Sequence, residues 1–95
     1  MSLQVGLLTI ELFLPDAQSL KDKRMVLRAV KDRLKKLNIA VAEVEHHALW
    51  QRAGLGVVTI GHGRDIVDQT LAAALEEIER THPGLVTRSQ VELIA

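Results

Sequence analysis

Lysine and arginine side chains concentrate in one short stretch of the sequence, and the chemistry they offer is anion binding. Residues 19–38 contain eight basic and two acidic residues, whereas the rest of the 95-residue chain contains four basic and ten acidic residues. The formal net charge of zero therefore combines a segment of +6 with a remainder of −6. Such a segment can neutralise the phosphates of a nucleic acid or dock on an acidic protein surface.

Five of these cations are spaced so that they fall on one side of a helix. They recur at intervals of three, four, three and four residues, which places them within about 80° of the helix circumference. Lys23 departs from this spacing and points near the apolar side, so its stem either passes the sheet edge or reaches residues 43–52. A solvated helix face without a ligand is the alternative interpretation. The predicted RNA or phosphate-binding residues are Lys21, Lys23, Arg24, Arg28, Lys31 and Lys35.

A second group combines acids, histidines and an indole within residues 43–52. Carboxylate and imidazole can bind a metal ion or transfer protons. His46 and His47 are adjacent, however, so on a strand they point to opposite faces, and no HExxH motif is present. We predict no metal here, and expect Trp50 to pack over a sheet edge and an acid to pair with Arg52 or the basic helix. A metal or small-molecule site is the alternative, and the residues of this second patch are Glu45, His46, Trp50 and Arg52.

Motifs of nucleotide-binding loops and of hydrolytic enzymes are absent from the sequence. Gly61-His62-Gly63 precedes a predicted helix where an anion could rest, but neither a Walker A motif nor G-x-G-x-x-G surrounds it. No serine lies in a G-x-S-x-G motif. Cysteine is absent, which excludes disulfides, cysteine zinc sites and thiol nucleophiles. We therefore expect no catalytic residues and no cofactor.

Hydrophobic periodicity predicts four strands and two helices. The strands are predicted over residues 3–14, 39–46, 53–60 and 85–94. Ser19 is a suitable N-cap for a first helix that runs to about Leu37. A second helix is predicted after an N-cap at Asp65, ending near His82 because Pro83 and Gly84 break it.

The order β-α-β-β-α-β predicts an α+β, ferredoxin-like domain over residues 1–95, with strand order 4-1-3-2 and both helices on one face of the sheet. The other face would be open and apolar, which favours a homodimer through that face. Phe13 is the one aromatic expected there, which argues against an RRM. The residues predicted on the open face are Val5, Leu7, Thr9, Glu11, Phe13, Ile39, Val41, Val57 and Thr59.

Four segments of the chain form a specific combination: Val5-Gly6-Leu7-Leu8, Ser19-Leu20-Lys21-Asp22-Lys23-Arg24, Ala42-Glu43-Val44 and Trp50-Gln51-Arg52-Ala53-Gly54-Leu55-Gly56. Over nearly the whole chain this resembles the YlxP-like proteins, a bacterial family of unknown function. The resemblance implies a ferredoxin-like fold, a cytoplasmic location and a gene neighbourhood of translation-initiation and ribosome-maturation factors. It implies no catalytic residues. Related sequences often read Asp-His-Gln where this chain reads Glu45-His46-His47.

The charge pattern and this resemblance together predict a non-enzymatic protein that associates with structured RNA or ribosomal particles through its basic helix. The alternative is a homodimeric protein-interaction module with no nucleic-acid ligand, because opposite charges on one molecule favour self-association. No apolar run approaches the ~20 residues that a membrane span requires, so we expect no membrane partner.

Overall fold

Four strands and two helices follow one another in the predicted order. The computed structural model describes residues 3–95. Its elements are β1 (Leu3–Phe13), α1 (Leu20–Leu34), β2 (Ala40–Glu45), β3 (Arg52–His62), α2 (Arg64–Thr81) and β4 (Val86–Leu93). The strands form one antiparallel sheet in the order β2-β3-β1-β4, with the helices on one face. The ferredoxin-like α+β fold is therefore confirmed. Neither helix of the described chain is long and apolar enough to cross a membrane.

The hydrophobic core lies between the helices and the inner face of the sheet and is entirely aliphatic. Alternate residues of β1, from Leu8 to Leu12, are fully buried, and they meet the apolar sides of both helices. Burial of each such side chain stabilises the folded state by about 1.5–3 kcal/mol relative to leaving it exposed. The predicted alternation of β1 is thus confirmed. Because α1 packs its apolar side on this buried face of the sheet, the rest of the helix surface faces solvent.

The outward faces of β2 and β3 are the reverse of those predicted. Val57 and Thr59 are buried against the helices, and Ile39 and Val41 pack beside the core, so none of the four lies on the open face. The register confirms this, because Val57 pairs with the inward-facing Leu8. Thr59 tolerates burial because its hydroxyl donates to the Asn38 carbonyl at 2.6 Å. The residues that replace them on the open face include Ala40, Ala42, Val58 and Ile60.

The helix ends differ from the prediction in detail. The Ser19 hydroxyl accepts from the Asp22 backbone N–H at 3.0 Å, which confirms the predicted cap of α1. The helix ends at Leu34, before the predicted Leu37. The N-cap of α2 is Gly63 at φ 121°, and not Asp65, because this left-handed conformation turns the chain directly out of β3.

Glu77 links the two helices through charge. Its side chain is 10% exposed and lies 2.7 Å from Arg80 Nη2 and 3.5 Å from Lys36 Nζ at the end of α1. The hydrogen bond from Arg80 holds the pKa of Glu77 below its ordinary value of 4.5, against the desolvation that would raise it, and Lys36 adds to the lowering. The ionised carboxylate therefore favours the folded state.

Replacing Glu77 with glutamine should lower the melting temperature at neutral pH and have little effect in acid. A carboxyl group with a lowered pKa stabilises the fold above its unfolded pKa, and that contribution disappears as the pH falls through the folded pKa. Thermal unfolding at about pH 7 and about pH 3 measures the difference. Glu79→Gln, which changes an exposed glutamate of the same helix, is the matched control. An equal loss at both pH values would contradict this account.

Candidate nucleic-acid interface

The cations of α1 form a ridge along one solvent-facing side of the helix, beside its buried face. Four of its members are exposed and Lys31 is partly buried. Lys35 lies 3.0 Å from Asp32 in its own helical turn, whereas the other members make no ion pair with residues 3–95. The ridge is about 21 Å long at 1.5 Å per residue. Its members are Lys21, Arg24, Arg28, Lys31 and Lys35.

Lys23 does not belong to this ridge, which corrects its prediction as a phosphate contact. It is 2% exposed. Its Nζ donates to the carbonyl oxygens of His46 at 2.6 Å and Leu49 at 2.8 Å, and lies 2.7 Å from Glu43 Oε2. The ammonium group thus donates two hydrogen bonds and is neutralised by a carboxylate within the protein, so it is not available to a phosphate. Of its two predicted orientations, the one towards residues 43–52 is confirmed.

Residues 46–51, which we call the β2–β3 loop, are held from several sides. Lys23 binds two of its carbonyls, and the Gln51 side chain donates to the carbonyls of Pro15 and Ala17 at 3.2 Å each. The Leu14 N–H also donates to the Gln51 carbonyl at 2.8 Å. The loop is thus attached to the start of α1 and to the segment that precedes it. Hydrogen bonds from Lys23 of the basic helix therefore hold the loop that carries part of the second patch.

The second patch contains an ion-pair cluster on the open face of the sheet. His46 Nε2 lies 3.2 Å from Glu11 Oε2 and 3.8 Å from Glu45 Oε2, while Arg52 Nη2 lies 4.0 Å from Glu11. Ligand atoms of both acids and of His46 lie within 4.8 Å of one another, a spacing that a metal ion can bridge. An imidazole N–H that donates to the Glu11 carboxylate accounts for the shortest of these distances without a metal. The expected pairing of an acid with the basic helix is made by Glu43.

Glycine and a β-bulge bring this cluster together. The register of β2 against β3 shifts between Glu43 and Glu45, and Glu45 faces Gly54. A Cβ atom on Gly54 would lie 2.9 Å from that of Glu45, closer than side chains pack. On its other side Gly54 pairs with Glu11 of β1. The sequence prediction did not include Glu11 in this patch, and its outward position beside Gly54 was the available signal.

The two aromatic residues of the chain lie together at the end of the central strands. Phe13 closes β1, and Trp50 belongs to the loop that leads into β3. They line a groove of about 390 Å³ with Leu49 and Arg52 among the other lining residues. Trp50, expected to pack over a sheet edge, is instead 52% exposed, and Phe13 is 44% exposed. Phe13 was predicted on the open face but not beside Trp50.

Comparison with known proteins identifies the family. Residues 5–91 match a family described as "Protein of unknown function (DUF503)". The chain belongs to this family. It is also 31% identical over 93 residues to the "Uncharacterized protein YlxP" of Bacillus subtilis (strain 168). The alignment covers 90% of this chain and 97% of that protein. The resemblance to YlxP-like proteins is thus confirmed, and these descriptions assign no activity to a DUF503 protein.

Solved structures similar to this DUF503 chain confirm the fold alone. The "De novo designed protein Foldit4" aligns with a TM-score of 0.59 at 10% identity and covers 98% of this chain and 97% of its own. The "De novo designed protein Ferredog-Diesel" aligns with a TM-score of 0.56 at 17% identity, over 93% of this chain and 83% of its own. The fold therefore suggests no ligand, and any function of this DUF503 protein must be argued from its side chains.

Proposed function

We propose that the protein is a non-enzymatic RNA-binding protein that contacts the phosphates of structured RNA, free or in ribosomal particles, through the ridge on α1. The observation that supports this is the row of cations that the fold leaves unneutralised. Lys21, Arg24 and Arg28 are exposed and have no acidic partner within 4.0 Å among residues 3–95. The ten acids outside residues 19–38 are therefore not used to neutralise this row.

The shape of the ridge suits a phosphate backbone more than a base edge. A straight row of cations about 21 Å long follows successive phosphates of an RNA helix. Double-stranded RNA is recognised mostly by shape and by contacts to phosphates and 2′-hydroxyls, because its major groove is too deep and narrow for side chains. The affinity of such contacts depends on salt, since cations released from the RNA provide much of the free energy.

Filter binding of a structured RNA measures this role directly. We expect the wild-type affinity to fall about a hundredfold between about 50 mM and about 200 mM salt if about four phosphates are contacted. The double variant Arg24→Glu/Arg28→Glu should bind about a hundredfold more weakly at the lower salt concentration. The matched control is Arg64→Glu/Arg88→Glu, which changes the charge equally at two exposed sites away from α1. Absence of binding at about 50 mM salt, or equal binding by both double variants, would refute the proposal.

A homodimeric interaction module is the second candidate, and the open face of the sheet favours it. Val44, Val58 and Ile60 are exposed there, beside the partly buried Val5 and Leu7. An apolar patch of this kind is a common interface between proteins. Sedimentation of the RNA-free protein at about 50 mM and about 500 mM salt distinguishes the candidates. A protein that stays monomeric under both conditions would exclude the dimer and leave RNA binding untouched.

A further inference from the structure

We propose that Phe13 and Trp50 form a stacking site for one unpaired base of the RNA that α1 binds. This inference rests on the proposed function and makes its ligand more specific. Lys23 of α1 binds the loop that carries Trp50, so the start of the ridge lies at the same end of the molecule as the groove at the end of β1 and β3. The ridge would contribute affinity for any stem, whereas the groove would distinguish an RNA with an accessible base from a fully paired one.

The exposure of both aromatic residues is the main support for this site. The chain contains one phenylalanine, one tryptophan and no tyrosine. Neither is used in the core, which consists of Leu, Ile, Val and Ala side chains. Burying an aromatic side chain removes about 150–250 Å² from water and is strongly favourable. Both rings instead line one solvent-open groove, which is the arrangement of a site that gains its burial from a ligand.

The groove is held in place before any ligand arrives. The backbone that carries Trp50 is fixed by the ammonium of Lys23 at the carbonyls of His46 and Leu49. Gln51, the residue after Trp50, donates from its side chain to carbonyls of the segment that precedes α1. Little conformational entropy is then lost when a base stacks on the indole, so more of the stacking free energy contributes to affinity. This gives the buried lysine a role in positioning the site, through backbone contacts alone.

The charges around the groove favour a nucleotide over an apolar protein segment. Arg52 lines the groove and offers an exposed guanidinium that can stack on a base or pair with a phosphate. Arg24, which follows the residue bound to the loop, brings the ridge to this end of the molecule.

The single tryptophan provides the readout for an experiment with two RNA hairpins, one fully paired and one with a single bulged nucleotide in the same stem. We expect the bulged hairpin to quench Trp50 fluorescence on binding and the paired hairpin to leave it nearly unchanged. Trp50→Leu should weaken the bulged hairpin about tenfold, as labelled-RNA anisotropy measures, and leave the paired one unaffected. Trp50→Phe should retain most of the affinity, and Ile94→Ala, at another exposed apolar residue, is the control.

The outcomes separate the stacking site from the ridge. If both hairpins bind equally, Trp50 emission is unchanged and Trp50→Leu has no effect, the stacking site is refuted and phosphate binding stands. If the bulged hairpin depends on Trp50 while Arg24→Glu/Arg28→Glu changes neither affinity, the ridge is refuted and the stacking site stands. If neither hairpin binds, both proposals fail. Trp50 emission that then changes with protein concentration would assign the groove to contact between copies of the chain.

Discussion

Replacing Lys23 with methionine should lower the free energy of unfolding by about 3 kcal/mol at neutral pH. Methionine retains the volume of the aliphatic stem, so the loss comes from the polar end. The Glu43 carboxylate, 21% exposed, would lose its cation, and the carbonyls of His46 and Leu49 would lose a charged donor. Guanidinium unfolding measured by circular dichroism, which does not depend on the environment of Trp50, gives the difference.

Two further variants show whether the ammonium group is responsible. Lys21→Met makes the same change at an exposed residue of the same helix and should alter the free energy of unfolding by less than about 0.5 kcal/mol. Adding Glu43→Gln to Lys23→Met should recover part of the stability, since it removes the carboxylate left without its cation. A Lys23→Met protein as stable as Lys21→Met would show that the ammonium does not hold the β2–β3 loop.

Replacing Gly6 with alanine should destabilise the protein by about 2 kcal/mol. A Cβ atom at this position would lie 2.5 Å from Val67 Cγ1 and 3.0 Å from Leu71 Cδ1, because α2 packs directly on the backbone of β1. Alanine restricts the unfolded chain and ordinarily stabilises a strand relative to glycine. The overlap with two buried side chains outweighs that gain. Chemical denaturation of the variant and the wild type measures the cost.

A double-mutant cycle identifies the overlap with α2 as the cause. Val67→Ala removes the nearest atom, so Gly6→Ala/Val67→Ala should be more stable, by about 1 kcal/mol, than the sum of the single changes predicts. Gly56→Ala is the matched control on the open face, where the new Cβ atom meets an exposed Val44 side chain at 3.3 Å. Equal effects of Gly6→Ala and Gly56→Ala would exclude close packing of α2 as the reason for glycine at position 6.

Local sequence patterns predicted most of the fold, and the face of β3 that is buried is the exception. The alternation of β1 separates apolar from mixed residues, so its buried face was predictable, and Ser19 identified its helix by capping chemistry. In β3 the two alternating sets, one with Val57 and Thr59 and one with Val58 and Ile60, are similar in hydrophobicity. Thr59 is accommodated on the buried face because its hydroxyl donates to the carbonyl of Asn38, 21 residues away, a contact that the strand pattern does not show.

The sequence by itself determined the order of elements, the cationic ridge and the departure of Lys23 from it, since these depend on charge and on spacing within one helix. Only the tertiary structure decided what Lys23 binds, that Glu11 lies beside His46, and that Phe13 and Trp50 line one groove. Each of these pairs is 20 or more positions apart in the sequence, on different elements. Their partners depend on strand register, the β-bulge and the path of the β2–β3 loop, and hydrophobic periodicity contains no information about these features.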